Sequence, residues 1–542
     1  MSERLVHTTP VSAIHEMKKQ RQINLNVKAH FARGALYVLL LLLLAICVIP
    51  FVLAQRTDTR QGATKVRSAR KLDRIGNPLP ANVIVVTNTN DSGSGSLRDA
   101  LAVANDGDTI DATDVSGTIL LTSGELPINH NVAINGPGAG SLSVDGNQAS
   151  RVFENFASDV TISGFTITNG RPVPPDSNGG GGILNHGGLT VSGSSIVNNR
   201  AGSQLHNDPP GGGISTLSGT LTITSSVISH NRSSSSGGGI SGNDGATVTL
   251  TDCVVSDNGA GCAGGGIVIA DGQLTVINST IHGNGVGGPC QGGPGGGILF
   301  SGDGMLTVTN SVISDNSGGG VTSGAGAGMF LTGGGTAMVT NSTISDNSTG
   351  SLGPGGGIVN GLKMLTVSNS TISGNSTSGP GGGISNTGTL TTANTTFSGN
   401  GSLSGGAIFN EGAVEIQNTV LNAAEFGGTI LNSGGAAMSL GYNIASDDAG
   451  GVLTGPSDQT NTDPMLGPLQ DNGGPTLTHA LLPGSPAIDA GNPNFTPPPL
   501  YDQRGSPFHR VVNGRIDIGS FEVQQPRATP TPRPRPTPAP RP

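Results

Sequence analysis

The sequence predicts an all-β solenoid, a parallel β-helix of about three short strands per coil, preceded by one N-terminal hydrophobic helix. Three observations predict it. A Gly-Gly-Gly-Ile element returns at Ile214, Ile240, Ile267, Ile298, Ile358 and Ile384, with variants ending at Ile183, Met329 and Ile408, at spacings of 24 to 31 residues. Between these anchors a second element, Leu-Thr-Val-x-Asn-Ser-x-Ile-Ser-x-Asn, recurs in step over 274–284, 306–316 and 365–375. Glycine supplies 90 of the 542 residues while tryptophan is absent, so the core must be narrow and built from small and aliphatic side chains.

From the N-terminus, residues 1–33 form a basic segment with Arg4, Lys18, Lys19, Arg21, Lys28 and Arg33. Residues 34–54 follow as an uncharged apolar run long enough to span a bilayer as a helix. Two readings stay open for this run, an uncleaved anchor and the core of a signal peptide cleaved near Val52-Leu53-Ala54. A start at Met17 would shorten the basic flank and favour cleavage. Both flanks are basic, so charge alone does not orient the helix; the polar, glycine-rich bulk beyond it reads as exported, with the N-terminus inside. Residues 55–80 read as a basic linker, 81–423 as the β-helix with its N-terminal cap, 424–523 as a separate C-terminal region, and 524–542 as a Pro/Arg-rich tail with no packed structure.

Within one repeat, Leu274-Thr275-Val276 and Ser279-Thr280-Ile281 alternate polar and apolar residues, the period-two signature of half-buried strands. Nothing recurs at the helical period, and Thr, Ser, Val and Gly dominate. Strands this short bury a face only by stacking coil on coil, about 4.8 Å apart, and some ten coils would make a rod of roughly 50 Å. The asparagines closing the repeats, Asn199, Asn231, Asn258, Asn284, Asn316, Asn347, Asn375 and Asn400, occupy equivalent positions, so their amides can form a ladder along the stack.

The segment 85–108 contains Ser96-Leu97-Arg98-Asp99-Ala100 and resembles the N-terminal cap of bacterial surface β-helix proteins that carry a Cys-Ser-Leu-Arg-Glu-Ala signature. Here the cysteine is missing and aspartate replaces glutamate. Residues 161–170, Thr-Ile-Ser-Gly-Phe-Thr-Ile-Thr-Asn-Gly, look like that family's first full coil, and the middle is similar to polymorphic outer-membrane repeats. At the other end, 471–476 (Asp-Asn-Gly-Gly-Pro-Thr), 483–491 (Pro-Gly-Ser-Pro-Ala-Ile-Asp-Ala-Gly), 502–505 (Asp-Gln-Arg-Gly) and 517–522 (Asp-Ile-Gly-Ser-Phe-Glu) are similar to the choice-of-anchor Q domain. The resemblance implies right-handed coiling, in agreement with the general crossover rule, and a place in the cell envelope outside the cytoplasm.

A net charge of −9 spread over a long chain, with no basic patch in the repeats, argues against nucleic acid as a partner. Polysaccharide-cleaving chemistry needs clustered carboxylates and usually a cation. Between residues 180 and 410 the only Lys and Arg residues are Arg200, Arg232 and Lys363, each isolated in sequence. Asp257, Asp315 and Asp346 immediately precede ladder asparagines; Asp315 and Asp346 fall on successive coils and are the candidate Ca²⁺ ligands, against a reading as solvated turn carboxylates. His186 and His282 read as loop residues. Cys262 and Cys290 precede successive Gly-Gly-Gly-Ile elements and are placed to bridge as a disulfide or to stay as free thiols, while Cys253 stands in for a repeat serine. No cofactor motif is present. The expected role is therefore a non-enzymatic adhesive or structural one, with glycans or neighbouring cell-surface components as partners and the membrane engaged through residues 34–54 if they are retained. A polysaccharide lyase or hydrolase is the alternative.

Overall fold

A computed structural model describes residues 81–172, 179–202, 210–287, 293–319, 325–350 and 352–524. The basic segment 1–33, the apolar run 34–54, the linker 55–80, Cys290 and the tail from residue 525 lie outside the described residues. Among the described residues no helix is long and apolar enough to cross a membrane.

The chain is a parallel β-helix. A representative coil contains strands Ile214–Thr216, Thr220–Thr224, Val227–Ser229 and Arg232–Ser233, and the next begins at Ile240. The expected count of about three strands per coil thus becomes four columns in the middle of the stack. The fourth column consists of two-residue strands, too short to show any alternation in sequence. Two columns share a 24-stranded sheet, joined where Met329–Thr340 and Ile358–Ser368 run through both. The third column is a thirteen-stranded sheet and the fourth a seven-stranded one. Thirteen rungs exceed the ten expected and correspond to a rod of roughly 60 Å. They continue through Ile444–Ala445, past the boundary expected at residue 423.

Every inward position stacks on its equivalent. Ile214 pairs with Ile240, Ile240 with Ile267, Ile267 with Ile298 and Ile298 with Met329, and all five are fully buried. One continuous apolar core runs from Val86 to Leu453. Its open N-terminal end is closed by the helix Leu97–Val103, which buries Leu97, Ala100 and Leu101 and is N-capped by Ser96 Oγ accepting from Asp99 N. Arg98 ties this cap to the first coil, donating to Asp91 Oδ1, Gly124 O and Glu125 O at 2.7 Å each.

The two repeat signatures meet in space. Each ladder asparagine donates its Nδ2 to the Oδ1 of the next, unbroken from Asn199 to Asn400 at 2.9–3.0 Å, and all eight are buried. The glycine triplet makes room for them. A Cβ on Gly213 would lie 3.1 Å from the Asn231 amide and 2.7 Å from Gly239 O, and Gly239 and Gly266 stand in the same relation to Asn258 and Asn284. The first triplet glycine, Gly211, adopts φ 76°, a backbone that L side chains rarely take. Cys253 occupies a serine position of a hydroxyl ladder, with Sγ against Ile223 O and Thr251 O, and burial pushes its thiol pKa up.

After the last rung the chain turns back over the outer face of the thirteen-stranded sheet. A short antiparallel pair, Leu466–Gln470 with Thr478–Leu481, begins this strap. Thr343 Oγ1 donates to Leu477 O, Thr371 Oγ1 to Gln503 Oε1, and Ser520 N to Thr396 Oγ1. Val420 packs with Leu481, Ile518 and Phe521. Outward residues of the last rungs are therefore buried, whereas Thr280 and Val312 upstream on the same face are half-exposed.

Candidate ligand-binding groove

The fourth column has the composition of a binding surface. In its strands Arg200–Ala201, Arg232–Ser233, Gly259–Ala260 and Gly285–Val286 the second residue is buried and the first points outward. Ser317, Ser348 and Ser376 continue the outward row. Parallel pairing aligns Arg200 with Arg232, Arg232 with Gly259, and Gly259 with Gly285. Two of the three cations between residues 180 and 410, isolated in sequence, are thus neighbours one rung apart. Beside them the missing side chains of Gly259 and Gly285 open a groove of about 760 Å³, bordered by Arg200, Arg232 and Asp257.

Electrostatics make this row unusual. The Arg232 side chain lies over Gly259, where a Cβ would come within 2.9 Å of its Cδ, and its Nη1 donates to the carbonyls of Asp257 and Asn231. Carbonyls orient the guanidinium without neutralising it. Among the described residues neither Arg200 nor Arg232 has a carboxylate ion-pair partner. Like charges set opposite one another on paired strands repel, so an anion seated between them would be favoured, and the planar fork suits carboxylate or sulfate. Farther along, Ser376 Oγ donates to the exposed Ser348 Oγ at 3.0 Å, leaving hydroxyls at one per rung.

The other predicted site residues fall elsewhere. Asp257, Asp315 and Asp346 all occupy positive-φ turns, and Asp315 and Asp346 are exposed on adjacent rungs. Asp346 Oδ1 sits over Gly374 of the next coil, as Asp257 Oδ1 sits over Gly283. Among the described residues no group of three or more His, Cys, Asp or Glu side chains is placed to hold a metal ion. Cys262 is disulfide-bonded, and its proposed partner Cys290 is outside the described residues.

A family model for the right-handed beta helix region matches residues 99–313 and 265–445, well over half of the chain. The chain belongs to the right-handed β-helix family. No curated protein matches it in sequence. Among solved structures, this β-helix is similar to the pectate lyase Pel9A, at 15% identity with a TM-score of 0.35, over 82% of this chain and 96% of that one. It is also similar to the catalytic unit of a GH87 α-1,3-glucanase from Streptomyces thermodiastaticus strain HF3-3, at 18% identity with a TM-score of 0.33, over 67% and 69% of the two chains.

The β-helix also carries a charged cluster that sequence reading missed. Arg151, fully buried, places Nη1 2.7 Å from Glu125 Oε2 and 3.5 Å from Glu154 Oε2. The other oxygen of Glu154 lies 3.0 Å from His186 Nε2, and the imidazole stacks on Phe156 at 4.9 Å. Phe156 is half exposed. Arg151 and Glu154 are three residues apart, while Glu125 lies 26 residues before Arg151 and His186 lies 32 after Glu154, about one coil to either side, so a search for charges at the repeat period would have found the cluster.

Proposed function

We propose that this protein is a non-enzymatic β-helix rod of the cell envelope, outside the cytoplasm, that binds acidic glycans or neighbouring surface polymers along its fourth column. The observation that carries the reading is the pair of guanidiniums, Arg200 and Arg232, in register beside a groove bordered by glycines and with no carboxylate ion-pair partner among the described residues. Rungs about 4.8 Å apart approximate the length of one sugar residue, so a polymer lying along the rod meets the same contacts repeatedly and gains avidity. Residues 34–54 provide a membrane tether if they are retained, or the protein is released if they are cleaved. The Ser96–Ala100 motif belongs in this reading as the CSLREA-like cap and the strap as the choice-of-anchor Q-like region. The cap role is supported by burial of Leu97 and by the Arg98 bonds, the strap role by the burial of Asp502, Gln503 and Arg504.

One observation favours the enzymatic alternative. Glu125 and Glu154 both pair with Arg151 Nη1, at 2.7 and 3.5 Å, so two carboxylates stand at one cation with His186 bonded to the second, a paired-carboxylate arrangement of the kind glycoside hydrolysis requires. A glycan array with the full-length protein separates the readings. Binding concentrated on acidic glycans, without depolymerisation, is the expected result. Cleavage of polygalacturonate or an α-glucan that Glu154→Gln abolishes would overturn the proposal and establish the alternative.

A further inference from the structure

The second strand column presents a different surface on its outward side. Thr161, Thr190, Thr222, Thr249, Thr275 and Thr307 pair in direct register, each with the next, and after Met338 the row resumes at Thr366 and Thr391. Two residues farther along each strand a second row runs Thr224, Thr251, Ile277, Thr309 and Thr340, a hydroxyl at every rung but the one Ile277 occupies. All are half-exposed. Register shifts on this column fall at the Gly333/Thr336 irregularity and at the last pairing, after Ile416, so these rows are straight.

Three properties coincide there. The six threonine hydroxyls of the first row have no hydrogen-bond partner among the described residues, because the strand backbone is satisfied by the neighbouring rungs. β-Branched side chains on strands hold few rotamers, so hydroxyls and methyls recur in fixed positions. The rows carry no charge until Glu415. The result is a grid of alternating methyl and hydroxyl groups with repeats of about 4.8 Å along the rod and about 6.7 Å across it.

We infer that this threonine face binds crystalline water, adsorbing the protein to the surface of ice. Charge complementarity selects that occupant. An acidic polymer has its counter-charge on the fourth column and none here, whereas the surface of ice is neutral and periodic. Crystalline polysaccharide is the nearest competitor, but the flat aromatic rings that stack on sugar faces are absent from these rows. On ice, hydroxyls enter the lattice as donors and acceptors while methyls fill the spaces between its oxygens, on the scale of the grid.

The inference is independent of the groove, and one experiment keeps the two apart. Full-length protein is frozen slowly from dilute solution beside a non-binding reference protein, and the fraction entering the ice is measured. Wild type should be enriched in the ice over the reference. Thr249→Lys combined with Thr275→Lys should fall to the reference level with an unchanged circular dichroism spectrum, and Arg200→Ala with Arg232→Ala should behave as wild type. Exclusion of the wild type to the same degree as the reference overturns the inference. So does undiminished enrichment of the lysine variant, or adsorption to powdered chitin or cellulose in place of ice.

Discussion

Asn316→Ala should lower the stability of the solenoid by about 3–5 kcal/mol, more than the usual cost of a surface substitution. Asn316 donates Nδ2 to Asn347 Oδ1 and to Ile281 O, both at 2.9 Å, and accepts at Oδ1 from the backbone N and the Nδ2 of Asn284, both at 3.0 Å. Truncation removes all four of these buried bonds and opens a cavity beside Gly297; Asn284 Nδ2 keeps Val255 O and His282 O, and Asn347 Oδ1 keeps the Asn316 N–H, but the backbone N–H of Asn284 loses the acceptor it has here. An internal control sits nearby. Asn310 donates to Asn278 at 3.3 Å on the exposed side of the same coil with φ 50°, a backbone that glycine takes without strain, and Asn310→Gly should cost less than about 0.5 kcal/mol. Urea melts followed by circular dichroism check both. A loss below about 1 kcal/mol for Asn316→Ala would show that the ladder contributes little. Because each coil contacts its neighbours, the transition should also broaden as coils on either side of residue 316 separate.

The second large effect is release of the strap at alkaline pH. Arg504 is held between Phe508 and Phe521, 3.8 Å from each ring centroid, and pairs with Asp502 at 2.6 Å. Fully buried Arg510 donates to Asn394 Oδ1 and to the carbonyls of Asp517 and Gly519. With Glu522 protonated, two arginines face two aspartates, Asp502 and Asp517, and the buried charges balance. Burial pushes the Glu522 pKa up to about 9 and raises that of Asp517 as well. A carboxyl whose pKa is raised on folding contributes stability that is full below its unfolded value, near 4.5, and is lost as pH rises through its folded value. Strap docking should therefore weaken progressively from about pH 4.5 and level off above about pH 9. Proteolytic cleavage within 466–524 should accelerate between pH 7 and pH 9.5 while the coils stay protected. Glu522→Gln should remove most of that pH dependence. Equal protection of the strap at both pH values would contradict this account.

The periodic part of the molecule was legible because it repeats. Ile214, Ile240 and Ile267 advertise the core, Asn231 and Asn258 the ladder, and the Leu-Thr-Val alternation the strands. What stayed hidden depends on contacts without local period. Strands of two residues such as Arg232–Ser233 carry no pattern, so the fourth column could not be read, although the equivalence of Asn199 and Asn231 already puts Arg200 and Arg232, which follow them, in register. The motifs around Asp502 and Asp517 stood out in sequence, but their docking onto Thr371 and Thr396 joins residues more than a hundred positions apart. Arg151 and Glu154 are near neighbours in sequence, but coil stacking is what brings Glu125 and His186 to them.

Calorimetric titration of an oligogalacturonate onto the full-length protein tests whether the Arg200–Arg232 groove holds an acidic glycan. Binding should weaken as salt is raised from low to physiological ionic strength, because exposed charges are screened, and should be lost in the Arg200→Ala, Arg232→Ala double variant while melting is unchanged. Binding of equal strength in the wild type and the double variant would contradict it.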